Sequence, residues 1–166
     1  MATYQGSSAG QRSGGHAQGG YSNDRYSAPP PPTISVSEIK LQAPVSVELF
    51  ASIAEDKAKT VAAAGGRRNN NSTQLRKFYD ELVMWFDKVH LERTKDGKAS
   101  KYAEVAPFIK MMKAKVAYAK GRDHVEACFE QMFSHLIGQI DSPDTLKHAK
   151  LFMEAFMGFY KVHEEK

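Results

Sequence analysis

The sequence predicts an all-α protein, a compact bundle of about five helices preceded by a disordered Gly/Ser/Pro-rich N-terminal tail. Three observations support this fold class. After Pro44, apolar residues recur at spacings of three and four, no segment shows the alternation of a β-strand, and Gly, Asn, Ser or Pro separates the periodic segments. The length of 166 residues suits one domain with an appendage.

The tail is predicted to cover residues 1–44, and the helical domain residues 45–166. Gly, Ser, Gln, Asn and Tyr dominate the tail, and residues 29–32 are four consecutive prolines. Such a segment buries too little apolar surface to offset the entropy of ordering it. A flexible tail is the simplest interpretation, and a weaker alternative gives its scattered Tyr and Arg residues a role in stacking on RNA.

The first two predicted helices flank a polar, basic connector. An apolar stripe predicts the first helix over residues 45–64, which a pair of glycines ends. The second helix is predicted over residues 72–91, with Asn71 or Ser72 as its N-cap and Gln74 as the return partner of a capping box. Aromatic residues of this helix share its apolar stripe, so we expect them in the core.

The third predicted helix is apolar along one stripe and basic elsewhere. It covers residues 102–120 and follows a polar loop at residues 93–101, and Pro107 falls within its first turn and a half, where proline is tolerated. Residues 108–122 contain no Asp or Glu. This helix is therefore a candidate anion-binding surface, and the alternative is a solvated helix with lysine stems draped over its apolar flanks.

The last two predicted helices have clear start signals. The fourth is predicted over residues 123–140 with Asp123 as its N-cap. The fifth runs from Pro143 to about His163, with Ser142 as its N-cap and proline at the first helical position. Short connections between these helices are consistent with neighbours that pack antiparallel in a bundle.

Charge is segregated along the chain. Residues 67–122 contain fourteen Lys/Arg and six Asp/Glu, whereas residues 123–166 contain four Lys/Arg and eight Asp/Glu. The formal net charge of the whole chain is only +4. A basic middle indicates a polyanion partner, and the opposite charges of the two parts permit attraction between copies of the chain.

Cysteine usage and hydropathy indicate the compartment. Cys128 is the only cysteine, so no disulfide framework can form and a reducing cytosol is expected. The polar N-terminus does not read as a secretory signal, and no run of residues is long and apolar enough to span a bilayer. The sequence therefore predicts a cytoplasmic protein without a membrane partner.

No motif for catalysis or cofactor binding is found. Nucleophile elbow, Walker loop, dinucleotide fingerprint and HExxH patterns are all missing from the sequence. His124, Cys128 and His135 fall at i, i+4 and i+11 on roughly one face of the fourth predicted helix, but a structural zinc site needs four ligands. We expect no enzyme activity, no metal and no cofactor. A metal-dependent nuclease that uses His124, Cys128 and the nearby acids is kept as an alternative hypothesis.

Three segments resemble a known family, and they occur in this order: STQLRKFYDEL at residues 72–82, FIKMMKAKVAYAKGR at residues 108–122 and HAKLFMEAFMGFYK at residues 148–161. Together they are similar to the small subunit of the type III-A CRISPR effector, the Csm ribonucleoprotein. The resemblance covers about residues 49–163, and the KVAYAKGR run is its most specific part.

This resemblance implies a five-helix bundle that is present in several copies in a prokaryotic effector complex. The copies would stack as a minor filament beside the backbone subunits and contact the duplex of crRNA and target RNA through basic side chains. Target RNA cleavage would belong to the backbone subunits, and the DNase and cyclic oligoadenylate activities to the large subunit. Partners are therefore crRNA, target RNA, the backbone and large subunits, and further copies of the chain.

The resemblance also gives individual positions. Arg76, Lys115 and Arg122 match basic positions of the family, and Tyr118 and Gly121 match its Y-x-x-G-R ending. Lys115 and Arg122 have no acid within helical reach on their N-terminal side, so we expect them to bind RNA most directly. Tyr118 is equally consistent with a place in the core, and Gly121 is expected to end the helix.

Charge and resemblance together predict contacts with the phosphate backbone that do not depend on base sequence. The predicted RNA-binding residues are Arg67, Arg68, Arg76, Lys77, Lys110, Lys113, Lys115, Tyr118, Lys120 and Arg122. The alternative function is a protein-binding helical adaptor without nucleic acid, whose basic middle and acidic C-terminal part are both partner surfaces. RNA binding would fail if these cations were paired inside the molecule with acids of the last two helices.

Overall fold

The computed structural model describes residues 33–66 and 69–164. Within these ranges all regular structure is helical, which confirms the predicted all-α class. A short 3-10 helix, Val47–Phe50, precedes five α-helices: α1 Ser52–Ala64, α2 Ser72–His90, α3 Lys95–Gly121, α4 Ala127–Gly138 and α5 Pro143–His163. The predicted disordered tail lies outside the described residues as far as position 32.

The five helices form a ring around a shared apolar core. α1 packs against α5, α5 against α2, α2 against α3, α3 against α4, and α4 against α1. Large side chains that are fully buried fill the interior, among them Phe129 and Phe133 of α4 and Phe152 and Phe156 of α5. In this order α1 lies across the ring from the seam between α2 and α3.

An arm, defined as residues 33–46, packs on the helices ahead of α1. The sequence analysis assigns residues 33–44 to the tail, yet Ile34, Ile39 and Leu41 are buried in the core. The three apolar residues follow neither a helical nor a strand period, so periodicity gives no signal for them. The packed part of the chain therefore begins earlier than predicted.

Side chains of the helices hold the backbone of the arm. Leu41 N donates to Gln139 Oε1 at 3.0 Å, and Gln139 Nε2 donates to Ile39 O at 2.6 Å. A ring nitrogen of His148, Nδ1, lies 2.8 Å from Leu41 O. These bonds satisfy backbone groups that the arm does not pair within itself.

Two predicted helix starts are confirmed in atomic detail. The Asn71 side chain accepts from Gln74 N at 3.0 Å at the start of α2. At the start of α5 the Ser142 side chain accepts from Thr145 N, and Thr145 Oγ1 accepts in return from Ser142 N, which completes a capping box behind Pro143.

The predicted loop at residues 93–101 is wrong over most of its length, because α3 begins at Lys95. Thr94 is the N-cap, and its Oγ1 accepts from Gly97 N at 3.0 Å. The Asp-Gly pair that resembles a turn lies in the first helical turn, where N–H groups have no intrahelical partner. Pro107 consequently falls in the interior of α3, twelve residues after its start, and not near its beginning.

Two further boundaries differ from the predictions. Asp123 is not an N-cap: its φ of 56° places it in a left-handed turn after α3, and α4 starts at Ala127 after Glu126. The single first helix predicted over residues 45–64 is divided at Ala51 into the 3-10 helix and α1. The described helices include none that is both long and apolar enough to cross a membrane.

Candidate nucleic-acid interface

α3 presents one buried stripe and two exposed flanks. The buried stripe contains the predicted residues Val105, Ile109, Met112 and Val116, and Ala119 extends it. One flank faces α2 and the other faces α4, because α3 packs between these two helices. The predicted RNA-binding residues of α3 are therefore divided between two flanks.

The flank beside α2 carries Lys115, Tyr118 and Arg122, at i, i+3 and i+7. The Lys115 side chain is 50% exposed, and its Nζ donates to Glu81 Oε1 of α2 at 2.6 Å. Tyr118 is 66% exposed, so it is not a core residue. Arg122 Nη1 donates to Tyr118 Oη at 3.0 Å, and the guanidinium lies 5.8 Å from the centroid of that ring.

The flank beside α4 contains Lys110, whose ammonium closes the end of α4. Lys110 Nζ donates to the carbonyl oxygens of Ile137, Gly138 and Ile140 at 3.0, 3.1 and 2.5 Å. Burial lowers the pKa of Lys110, and the positive charge of Lys113 lowers it further. Because the three donor positions of the ammonium are taken, Lys110 is held in a structural role.

Lys113 and Lys120 lie on the same flank as Lys110 but are more available. Lys120 Nζ is 3.9 Å from Glu130 Oε2 of α4, at the outer limit of an ion pair. Lys113 is exposed, and it forms no ion pair with any residue of the described ranges. Both ammonium groups can therefore approach an external anion.

Arg76 and Lys77 lie on the exposed side of α2. Arg76 Nε is 3.6 Å from Asp80 Oδ2, four residues further along the helix. Glu81 lies four residues after Lys77 but binds Lys115 instead, and Lys77 Nζ lies 3.5 Å from Gln74 Oε1. Among the described residues no acid therefore pairs with Lys77.

The basic connector and the turn after α3 meet at one end of the bundle. Arg67 and Arg68 lie outside the described residues, but the connector ends at Asn70, which is fully buried. Asn70 N donates to His124 O at 3.1 Å, two residues beyond Arg122. Two segments that are far apart in the sequence therefore contribute to the same end of the molecule.

Comparison with known proteins identifies the family. A family model described as Csm2 Type III-A matches residues 47–166, which is more than half of the chain. The chain belongs to this family. No curated protein and no solved structure matches it. The match confirms the resemblance and makes the chain a small subunit of the type III-A CRISPR complex, which associates with other Csm effector subunits.

Most described cations between positions 67 and 122 of this Csm2-family chain are not paired with the acids of its last two helices. Among the described basic residues between positions 67 and 122, only Lys120 lies within 4.0 Å of an acid from α4 or α5. Lys115 instead pairs with an acid of α2, and Lys101 pairs with Glu104 of its own helix. Pairing inside the molecule with the acids of α4 and α5, which would have made these cations unavailable to RNA, is therefore limited to Lys120.

The proposed metal-ligand face does not form. His124 precedes the start of α4, so it does not share a helical face with Cys128. His135 Nε2 lies 3.1 Å from Ile39 O in the arm, and burial raises the pKa of the Cys128 thiol. No group of three or more potential metal ligands occurs in the parts of the Csm2-family chain that the structure describes.

Sequence reasoning missed that the flank beside α2 continues toward the N-terminus of α3. Phe108 and Met111 extend the line of Lys115, Tyr118 and Arg122, and they are 50% and 54% exposed. The spacing of three and four residues in this second stripe is visible in the sequence. It went unused because the stripe mixes apolar and basic residues, whereas a core stripe is uniformly apolar.

Proposed function

We propose that this Csm2-family subunit binds the duplex of crRNA and target RNA through its phosphate groups. The observation that carries the proposal is the exposed line of Lys115, Tyr118 and Arg122 on α3. A helix places residues at i, i+3 and i+7 on one face, so these groups can follow one strand of a duplex. Lys77 and Lys120 lie toward the same end of the bundle and extend the positive surface.

The ion pairs on this surface do not oppose the proposal. Exposed pairs such as Lys115 with Glu81 contribute only about 0–1 kcal/mol, because solvent screens them and ordering two side chains costs entropy. A phosphate can replace the carboxylate with little loss. Lys110 is excluded from the proposed contacts, because its ammonium already donates to three backbone carbonyl oxygens and has no donor left for a phosphate.

We also propose that several copies stack side by side along the RNA and supply no catalytic group. The family's place in a multi-subunit effector supports stacking, and the opposite charges of the basic middle and the acidic C-terminal part favour attraction between copies. The RNA-cleaving, DNase and cyclic oligoadenylate activities would belong to other subunits.

The double variant K115Q/R122Q tests the RNA site. Glutamine is preferred to glutamate because a new carboxylate at position 115 would face Glu81. We expect the slope of log affinity for an RNA duplex against log salt to fall by roughly one to two, since two phosphate contacts are lost. The measurement is fluorescence anisotropy with labelled RNA at several salt concentrations.

The matched control is K40Q/K59Q, which removes the same charge from exposed residues of the arm and α1. Helical circular dichroism should be unchanged in both variants, because none of the four side chains is buried. Equal weakening of RNA binding by both variants would mean that only net charge matters and that α3 carries no site.

The protein-binding adaptor is the alternative function, and the exposed apolar residues of α3 favour it as an additional role. An adaptor without nucleic acid would pass through heparin at low salt and would purify with an absorbance ratio typical of protein. Retention on heparin together with bound RNA would exclude the adaptor as the sole function.

A further inference from the structure

The seam between α2 and α3 collects most of the large apolar side chains that are exposed. Seven such residues occur in the described ranges, and four of them, Met84, Phe108, Met111 and Tyr118, lie along this seam. Soluble proteins expose scattered apolar residues, but a contiguous group marks an interaction site. We define the seam patch as Met84, Trp85, Phe108 and Met111.

The seam patch is apolar in the middle and carries charged groups at both ends. The rings of Trp85 and Phe108 stack with centroids 5.5 Å apart and an interplanar angle of 11°. Lys88 Nζ lies 4.9 Å from the Trp85 ring at one end, and the Lys115–Glu81 pair joins α3 to α2 at the other end. This order is that of a protein interface, with an apolar centre and a polar rim.

The arrangement of the rings favours a protein partner over nucleobases. Trp85 already has Phe108 stacked on it and Lys88 over its ring, and Tyr118 already has the Arg122 guanidinium near its ring. A base would have to displace these contacts before it could stack. The two methionines are flexible apolar groups that adapt to a protein surface.

A complementary surface lies where the arm and the 3-10 helix meet α1, outside the seam between α2 and α3. Val47 is 81% exposed there, the largest exposure of any large apolar side chain in the described ranges. Glu38 and Asp56 share the single ammonium of Lys57, and Glu48 has no cationic partner among the described residues. This surface, the α1 face, covers residues 38–59 and combines an apolar projection with a small negative excess, since it contains four Asp/Glu and three Lys.

We propose that the seam patch of one copy packs against the α1 face of a second copy. Apolar Val47 would enter the patch, and the carboxylates of the α1 face would approach Lys88, whereas Lys115 belongs to the proposed RNA contacts. Because the two surfaces are formed by different residues of different elements, each copy would keep one of them free for the next copy. Such a contact extends into an open chain and does not close into a dimer.

This inference rests on the proposed stacking of copies and specifies the faces that meet. It is independent of the RNA contacts, because Arg122 and Lys120 lie at the far end of α3 from Phe108. A helix rises 1.5 Å per residue, so Phe108 and Arg122 are separated by about 20 Å. A protein and an RNA can therefore occupy the same flank together.

Complementation between two variants tests the proposal on the full chain without RNA. F108E places a charge in the seam patch, and V47K/E48K reverses the α1 face. All three positions are largely exposed, so the fold should be retained. We expect wild-type protein to form species larger than dimers between about 10 and 500 μM in analytical ultracentrifugation, whereas each variant alone stays monomeric.

A mixture of the two variants should give dimers and nothing larger. F108E retains the α1 face and V47K/E48K retains the seam patch, so one contact can form between them. Trp85 is the only tryptophan, and its emission should shift to shorter wavelength in the mixture but in neither variant alone. Dimers with this shift support the proposal.

Three results would overturn it. Wild-type protein that stays monomeric up to about 500 μM has no such contact. Variants whose mixture does not recover dimers indicate a patch that packs against itself or elsewhere. F108E that loses RNA binding as severely as K115Q/R122Q assigns the patch to RNA. If K115Q/R122Q left RNA binding unchanged while the two docking variants still complemented each other, the proposed RNA contacts would be contradicted and this inference would stand.

Discussion

Asn70 is the buried polar residue on which three segments of the chain converge. Its Nδ2 donates to Val61 O at 3.2 Å, and its Oδ1 accepts from Glu126 N at 2.7 Å. Tyr160 Oη donates to its carbonyl oxygen, and burial, with a smaller contribution from Glu164, raises the pKa of Tyr160 to about 12. The phenol therefore remains protonated, and the ends of α1, α4 and α5 are joined at neutral pH.

We predict that N70A lowers the free energy of unfolding by about 3 kcal/mol. The variant leaves Glu126 N without its acceptor, at a cost of about 1–3 kcal/mol, and removes one of the two donors of Val61 O, which keeps the bond from Gly65 N. It also forces alanine into a left-handed conformation, since φ at this position is 55°. N70G should be less destabilising by about 1 kcal/mol, because glycine adopts that conformation freely. Urea denaturation measures both values.

Asp123 provides the control for this comparison. Its φ is 56°, close to that of Asn70, but its side chain is exposed. D123G therefore removes the backbone strain without the loss of buried hydrogen bonds, and its stability should lie within about 1 kcal/mol of wild type. Equal losses for N70G and N70A would show that the side-chain bonds alone matter.

Among the elements, the arm contains buried residues that an analysis of hydrophobic periodicity does not identify. The family match begins at Val47, yet the arm contributes three buried apolar residues ahead of that position. A buried ammonium secures it, because Lys57 is 3% exposed and lies 2.8 Å from Glu38. Burial alone would lower the pKa of Lys57, but its bonds to Glu38 and Asp56 outweigh burial and raise it.

The attachment of the arm should weaken in acid. A hydrogen bond from Lys57 and its positive charge lower the pKa of Glu38 from its ordinary value of 4.5. The folded arm then binds fewer protons than the free arm, so its stability is present above pH 4.5 and is lost as pH falls through the lowered pKa. We expect the hydrogen-exchange protection of the Leu41 amide, which donates to Gln139, to fall over that range.

The variant E38Q isolates this contribution. It should show reduced protection of the Leu41 amide at neutral pH and a weaker dependence on acid. The amide of Met132 in the core of α4 reports global unfolding and should keep its protection over the same range. Parallel loss at both amides would contradict a local release of the arm.

The helix boundaries show where local signals suffice and where they do not. Asn71 and Ser142 were predictable as caps, because each side chain bonds a backbone group three residues away. The start of α3 was not, because the Asp-Gly pair after Thr94 resembles a turn as closely as a first helical turn. α3 packs against α2 and α4 along its 27 residues, and this packing keeps the chain helical on both sides of Pro107.

For the whole molecule, the ring of helices distributes the positive charge unevenly. The exposed cations of α3 lie on two flanks, and those beside α2 share their surface with apolar residues. The proposed contacts would address phosphates and not base edges, since the sequence contains no recognised base-reading motif. Affinity should therefore depend on salt much more strongly than on RNA sequence.

We predict that two RNA duplexes of unrelated sequence bind with affinities within about threefold of each other. Raising salt from about 50 to 200 mM should weaken each by roughly 150-fold if about four phosphates are contacted. Filter binding or anisotropy measures both quantities. A tenfold preference for one sequence at constant salt would contradict binding through the backbone alone.

The sequence by itself determined the helical class, the buried stripe of α3, the caps of α2 and α5, and the excess of positive charge between positions 67 and 122. Each of these depends on residues a few positions apart or on composition. Only the tertiary structure decided which cations remain available: Lys110 binds carbonyl groups 27 to 30 residues away, and Lys115 binds an acid 34 residues away. The period of a single helix carries no information about such partners, because they are brought close by the packing of one helix on another.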